Sequence, residues 1–197
     1  MNRAVLGIGM IVALAFPGAR GLLEREMVTH MLVQIPLLAI AGVFTASAIP
    51  KRLTDQFARW NRGGITGALL AVVVRSWWMV PRALDSALAS PGAELWKFVS
   101  LPLFVGLPMA LSWNPLGAIG RGFVVVNVLP MWAVVGWLYI AAPVRVCNYY
   151  LMDQQLVAGR GLLWLTISVA AVLATLSFRS RPWRDDVRFA GKSARSF

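Results

Sequence analysis

The sequence predicts an all-α fold: a polytopic transmembrane helical bundle of about six spans with both termini cytoplasmic. Three observations predict it. Hydrophobic residues make up 58% of the chain and charged residues only 14%, and the mean hydropathy is +0.68, values outside those of soluble globular domains. Apolar runs approaching the roughly 20 residues that a helix needs to cross the hydrocarbon core recur along almost the whole length. These runs are continuous, whereas a barrel strand alternates over about ten residues. In lipid each run must satisfy its own backbone groups, which it does as a helix.

Taken in order, the spans are 4–18, 27–49, 64–81, 97–115, 122–143 and 160–178. The first is short, follows Arg3 and ends in "FPGARG", features it shares with a secretory signal. It is read as an uncleaved anchor because the charge balance works with it in place. The second opens on "EMVTH", the third closes at Pro81, and the fourth contains Pro102 and Pro108. The sixth follows a polar loop holding Asp153, Gln154 and Gln155. Residues 1–178 therefore form one membrane domain, and 179–197, "RSRPWRDDVRFAGKSARSF", form a basic cytoplasmic tail. Many of the nine tryptophans and three tyrosines fall near span ends, where amphipathic rings sit at the headgroup level.

The net charge is +11. With the N-terminus inside, twelve basic residues fall in cytoplasmic segments against five outside (Arg20, Arg25, Arg82, Arg145 and Arg160), with Lys97 at a border and Arg75 within a span. That asymmetry is the positive-inside pattern. The basic excess thus points to membrane lipid as a partner, and not to nucleic acid, since no folded module surrounds it to read bases. A single cysteine, Cys147, excludes an internal disulfide and a thiolate pair for metal.

Ionisable groups within the membrane need a partner or a function. Glu26 and His30, four apart, share a helical face with Met27, Met31 and Gln34 close by. Imidazole suits copper in either state and thioether favours Cu(I); equally, the histidine is simply hydrogen-bonded to the carboxylate. Arg75 either snorkels toward the interface beside Trp77 and Trp78 or pairs with Glu26, Asp85 or Glu94. Asp153 ahead of the last span suits a helix start. All three places fall toward the outer face of this topology.

Four segments in order carry a resemblance. They are "EMVTHMLVQIPLLAIAG", "WWMVPRALDSAL", "LFVGLPMALSWNPLG" and "YYLMDQQLVAGRGLLWLT". Over residues 14–178 the chain resembles the CtaG-type family of cytochrome c oxidase assembly factors, multi-span membrane proteins implicated in copper delivery. The family's His-Met-Val-Gln-His helix matches the first segment, its Trp-His-x-Pro motif the second, a span ending in Trp and Pro the third, and its Asp-Gln-Gln run the fourth. The departures fall on histidines: the family's first is Glu26 here, its second is His30, and that of the Trp-His motif is Trp78.

The resemblance implies a bacterial inner-membrane factor in oxidase biogenesis, a scaffold or copper-handling protein on the periplasmic side, partnered by oxidase subunits. In a copper site His30 would be a ligand, Glu26 a ligand or its neighbour, and Met27, Met31 and Met152 soft ligands. Arg75, Trp78, Asp85, Asp153 and Gln154 would form the polar network around it. The alternative is a permanent accessory subunit of a respiratory or other electron-transfer complex that kept the helices and has no metal of its own. Enzymatic catalysis is not expected, because no hydroxyl or thiol nucleophile is matched to a base beyond His30.

Overall fold

The computed structural model describes residues 2–179. Among them every regular element is a helix: α1 (Arg3–Ala15), α2 (Pro17–Leu23), α3 (Ile35–Thr45), α4 (Lys51–Trp60), α5 (Ile65–Trp78), α6 (Pro81–Ala89), α7 (Pro91–Ser100), α8 (Leu107–Trp113), α9 (Ala118–Ala141) and α10 (Met152–Arg179). The basic tail foreseen at 179–197 lies, beyond its first residue, outside the described residues.

Four runs are long and apolar enough to cross a membrane unaided: Thr29–Ala48, Pro91–Trp113, Ala118–Ala141 and Met152–Leu176. Two more arise if bent pairs are each one span, α1 with α2 at 72° and Arg62–Trp78 with α6 at 70°. The chain is a multi-pass membrane protein. Each of the six predicted spans has a helix, but two begin earlier than hydropathy indicates, at Pro91 and Met152. Proline at N1 needs no N–H partner, Ser90 Oγ accepts the Ala93 N–H at 3.2 Å, and Asp153 sits in the first turn of α10. These local signals start a helix before the apolar stretch begins. The polar segment after the second span is likewise a helix, α4, with no buried residue.

Proline also shapes the spans from within. A π-turn, Thr29–Gln34, leads into α3, and the Ile35 N–H bonds to the His30 carbonyl, five residues back. A second, Leu101–Gly106, joins α7 to α8, with the Leu107 N–H on the Pro102 carbonyl. Pro36, Pro102 and Pro108 bring no N–H to the ladder, and a wider turn is one way to rejoin it.

The helices cross where side chains vanish. A Cβ on Gly42 would run into the Pro102 backbone, and one on Gly106 into the Ala39 carbonyl. Gly136 of α9 and Gly159 of α10 are as close, each new Cβ meeting the other's carbonyl oxygen at 2.8–2.9 Å. Close backbone approach is the usual basis of helix association in lipid. On the other side, α1 packs along α3, with Gly7 against Ala41 and Thr45. The buried stripe Met27, His30, Met31, Gln34, Ile35 and Leu38 runs along the second span into the core.

Candidate functional site: a buried ammonium at one end of the bundle

Lys97 is fully buried. One turn into its helix from Ala93, it points between the spans, and each of its three N–H donors meets an acceptor. Nζ donates to Glu24 Oε1 at 2.7 Å, to His30 Nε2 at 3.1 Å and to Gln34 Oε1 at 3.1 Å. Gln34 Nε2 in turn donates to Glu24 Oε1 at 3.1 Å. Because an ammonium can only donate, the network makes His30 Nε2 an acceptor and puts the ring proton on Nδ1. Nδ1 then donates to Tyr150 Oη at 2.7 Å, and the Tyr150 hydroxyl donates to the Glu24 carbonyl at 3.1 Å.

A second ion pair closes the outer side. Arg20 Nη1 lies 2.7 Å from Glu94 Oε1 and Arg20 Nε 4.0 Å from Glu24 Oε2. Two cations therefore face two carboxylates. The residues come from α2, the bend at 24–26, the first π-turn, α7 and the loop before α10, so five separate segments meet at one end of the bundle.

Beside this cluster is a second polar layer. Tyr139 donates to Met31 Sδ at 3.5 Å, and buried Gln155 donates to the Tyr139 carbonyl at 3.0 Å while accepting the Val146 N–H at 2.8 Å. Trp78 Nε1 donates to Ser100 Oγ at 2.8 Å. Asp85 Oδ2 accepts from the backbone N–H and the side-chain amide of Asn148, at 2.8 and 3.2 Å. In the same loop, burial pushes the Cys147 thiol up to about 12, with the Asp85 charge adding to it. Burial also raises the Tyr150 phenol, reinforced by Glu24.

The structure relocates several predicted roles. Glu26 is exposed, and the carboxylate at the site is Glu24. The i, i+4 pairing of Glu26 with His30 assumes one continuous helix, whereas residues 24–26 form a bend that turns Glu24 inward. The polar side chain of the Asp-Gln-Gln run that enters the core is Gln155; Asp153 is exposed and Gln154 half-buried. Arg75 pairs with none of its proposed partners: Glu26 faces out, Asp85 holds Asn148 and Glu94 holds Arg20. Met27 is core, Met31 lies against Tyr139, and Met152 is half-buried in the first turn of α10. Trp78 and Asp85 are engaged as described. Lys97 and Glu24 are the residues that sequence reading passed over; a lysine within helical reach of a membrane span was the available signal.

As arranged, these residues do not fit a copper ion. Both ring nitrogens of His30 are engaged, a cation already stands 3.1 Å from Nε2, and among the described residues no group of three or more His, Cys, Asp or Glu is placed to hold a metal. Compared with protein-family models, curated proteins and solved structures, the chain gives no match.

Proposed function

We propose that this protein is a non-enzymatic, metal-free scaffold of the bacterial plasma membrane that serves cytochrome oxidase biogenesis. One observation carries the metal-free part: the Lys97 ammonium stands against His30, and its three protons are already taken by Glu24, His30 and Gln34. Where the resembled family has several imidazoles, this chain has one imidazole and a fixed cation. The link to oxidase biogenesis rests on the resemblance of four ordered segments. A cluster of two cations against two carboxylates joining five segments suits a part whose task is to hold helices in place for a partner.

The test is to add a C-terminal tag, extract the protein from native membranes in mild detergent, and measure copurifying subunits, haem absorbance and copper together, alongside oxidase assembly in a deletion strain. The scaffold reading expects loss of assembled oxidase in the deletion strain and a purified protein without copper. Stoichiometric copper that disappears in His30→Ala would overturn the metal-free part. Haem-bearing partners that stay bound through washing would instead make the chain a permanent accessory subunit.

A further inference from the structure

Arg75 is a half-buried cation that this cluster does not use. Its Nη2 is fully enclosed yet has no hydrogen-bond partner, and no described carboxylate lies within ion-pairing distance of it. A guanidinium left like this inside a membrane bundle is costly. It stands in the wall of a cavity of about 420 Å³, otherwise lined by apolar side chains that include Met31, Ile35, Trp132 and Leu162. That volume lies in the range of small-molecule sites, roughly 300–1,000 Å³.

The cavity has direction. Arg75 and Met79 stand at the Trp78 end of the Arg62–Trp78 helix, beside the exposed Trp77, and the second span lines the cavity from Met31 to Ile40, more than two turns of helix. Ile40 and Leu165, which help line it, are 45% and 36% exposed, so in a bilayer its mouth opens sideways onto acyl chains. A cation at the headgroup end with an apolar slot running inward matches a molecule with an anionic head and a hydrocarbon tail. A guanidinium recognises a phosphate through paired N–H donors.

We propose that this cavity is a lateral binding site for an anionic phospholipid, with the phosphate on Arg75 and one acyl chain in the slot between the second, fifth and sixth spans. The site is separate from the Lys97 cluster and does not depend on the oxidase reading.

The experiment is native mass spectrometry of the whole protein in detergent, titrated with phosphatidylglycerol or with phosphatidylcholine of identical chains. Wild type should prefer phosphatidylglycerol by about tenfold, because phosphatidylcholine carries the same phosphodiester beside a quaternary ammonium that offsets its charge at Arg75. Arg75→Gln should reduce the preference to below about twofold, and Arg75→Lys should retain part of it. Ile40→Trp, which narrows the mouth, should weaken both lipids alike. Elution volume and melting temperature identify any variant that fails to fold, and Ile40→Trp tests the slot without touching the cation. The proposal is overturned if wild type shows no headgroup preference, if Arg75→Gln keeps it, if Ile40→Trp leaves binding unchanged, or if a neutral quinone copurifies in the lipid's place.

Discussion

Lys97 Nζ sits 2.7 Å from Glu24 Oε1 although 73 positions separate them in the chain, and this contact ties the fourth span to the entrance of the second. Lys97→Met would leave Glu24 without its 2.7 Å partner, with only the Gln34 amide and Arg20 at 4.0 Å beside it. Removing one partner of a buried pair costs about 3–5 kcal/mol, so the variant should unfold at markedly lower SDS fraction or temperature in mixed micelles. The double variant Glu24→Gln with Lys97→Met should recover part of the loss, because no buried charge remains unpaired.

The choice between the two glutamates has its own test. Glu24→Gln loses the ion pair with Lys97 and should destabilise measurably, whereas Glu26→Gln alters an exposed side chain and should stay within about 0.5 kcal/mol of wild type. Equal effects would mean that the bend at 24–26 does not turn Glu24 inward. Tyr150→Phe removes a hydroxyl that both accepts from His30 and donates to the Glu24 carbonyl, and should cost about 1–3 kcal/mol in the same unfolding assay.

Cys147 should behave as a silent thiol. The nucleophile is the thiolate, and burial moves half-ionisation from the ordinary 9.0 to about 12. Maleimide at pH 7–8 should therefore label the folded protein far more slowly than the SDS-unfolded one. The raised value also sets a sign for stability: the contribution is fully present below about pH 9 and is lost as pH rises through about 12. Fast labelling of the folded protein at neutral pH would contradict the burial of this loop.

Glycine positions should divide sharply. Gly42→Val places a side chain into the Pro102 backbone, while a Cβ at Gly9 meets nothing within 4 Å. The first should abolish or severely reduce folded protein, read as monodisperse yield in detergent, and Gly9→Val should express normally.

Orientation can be read with single cysteines in a Cys147→Ser background. Ser90 and Asp55 are both exposed and lie at opposite ends of the Arg62–Trp78 span. A membrane-impermeant maleimide added to intact cells should label Ser90→Cys and not Asp55→Cys if the excess of basic residues faces the cytoplasm.

The sequence by itself determined the class of fold. Apolar runs long enough to cross a bilayer leave the backbone no option but helix, and this local rule put a helix at each of six places. It also marked His30 as a residue needing partners, since one imidazole at a span entrance is costly alone. What it did not determine was who those partners are. Helical periodicity pairs residues four apart only while the helix continues, and the bend at 24–26 exchanged Glu26 for Glu24. The remaining partners, Lys97 and Tyr150, lie 67 and 120 positions away, and no local pattern fixes which end of which span meets which. The glycine crossings decided that, by letting backbones approach until Lys97 on the fourth span met Glu24 at the entrance of the second. The tertiary structure also decided Arg75: hydropathy marked it as costly, but only the packing showed a cation facing an apolar slot with no described carboxylate in reach.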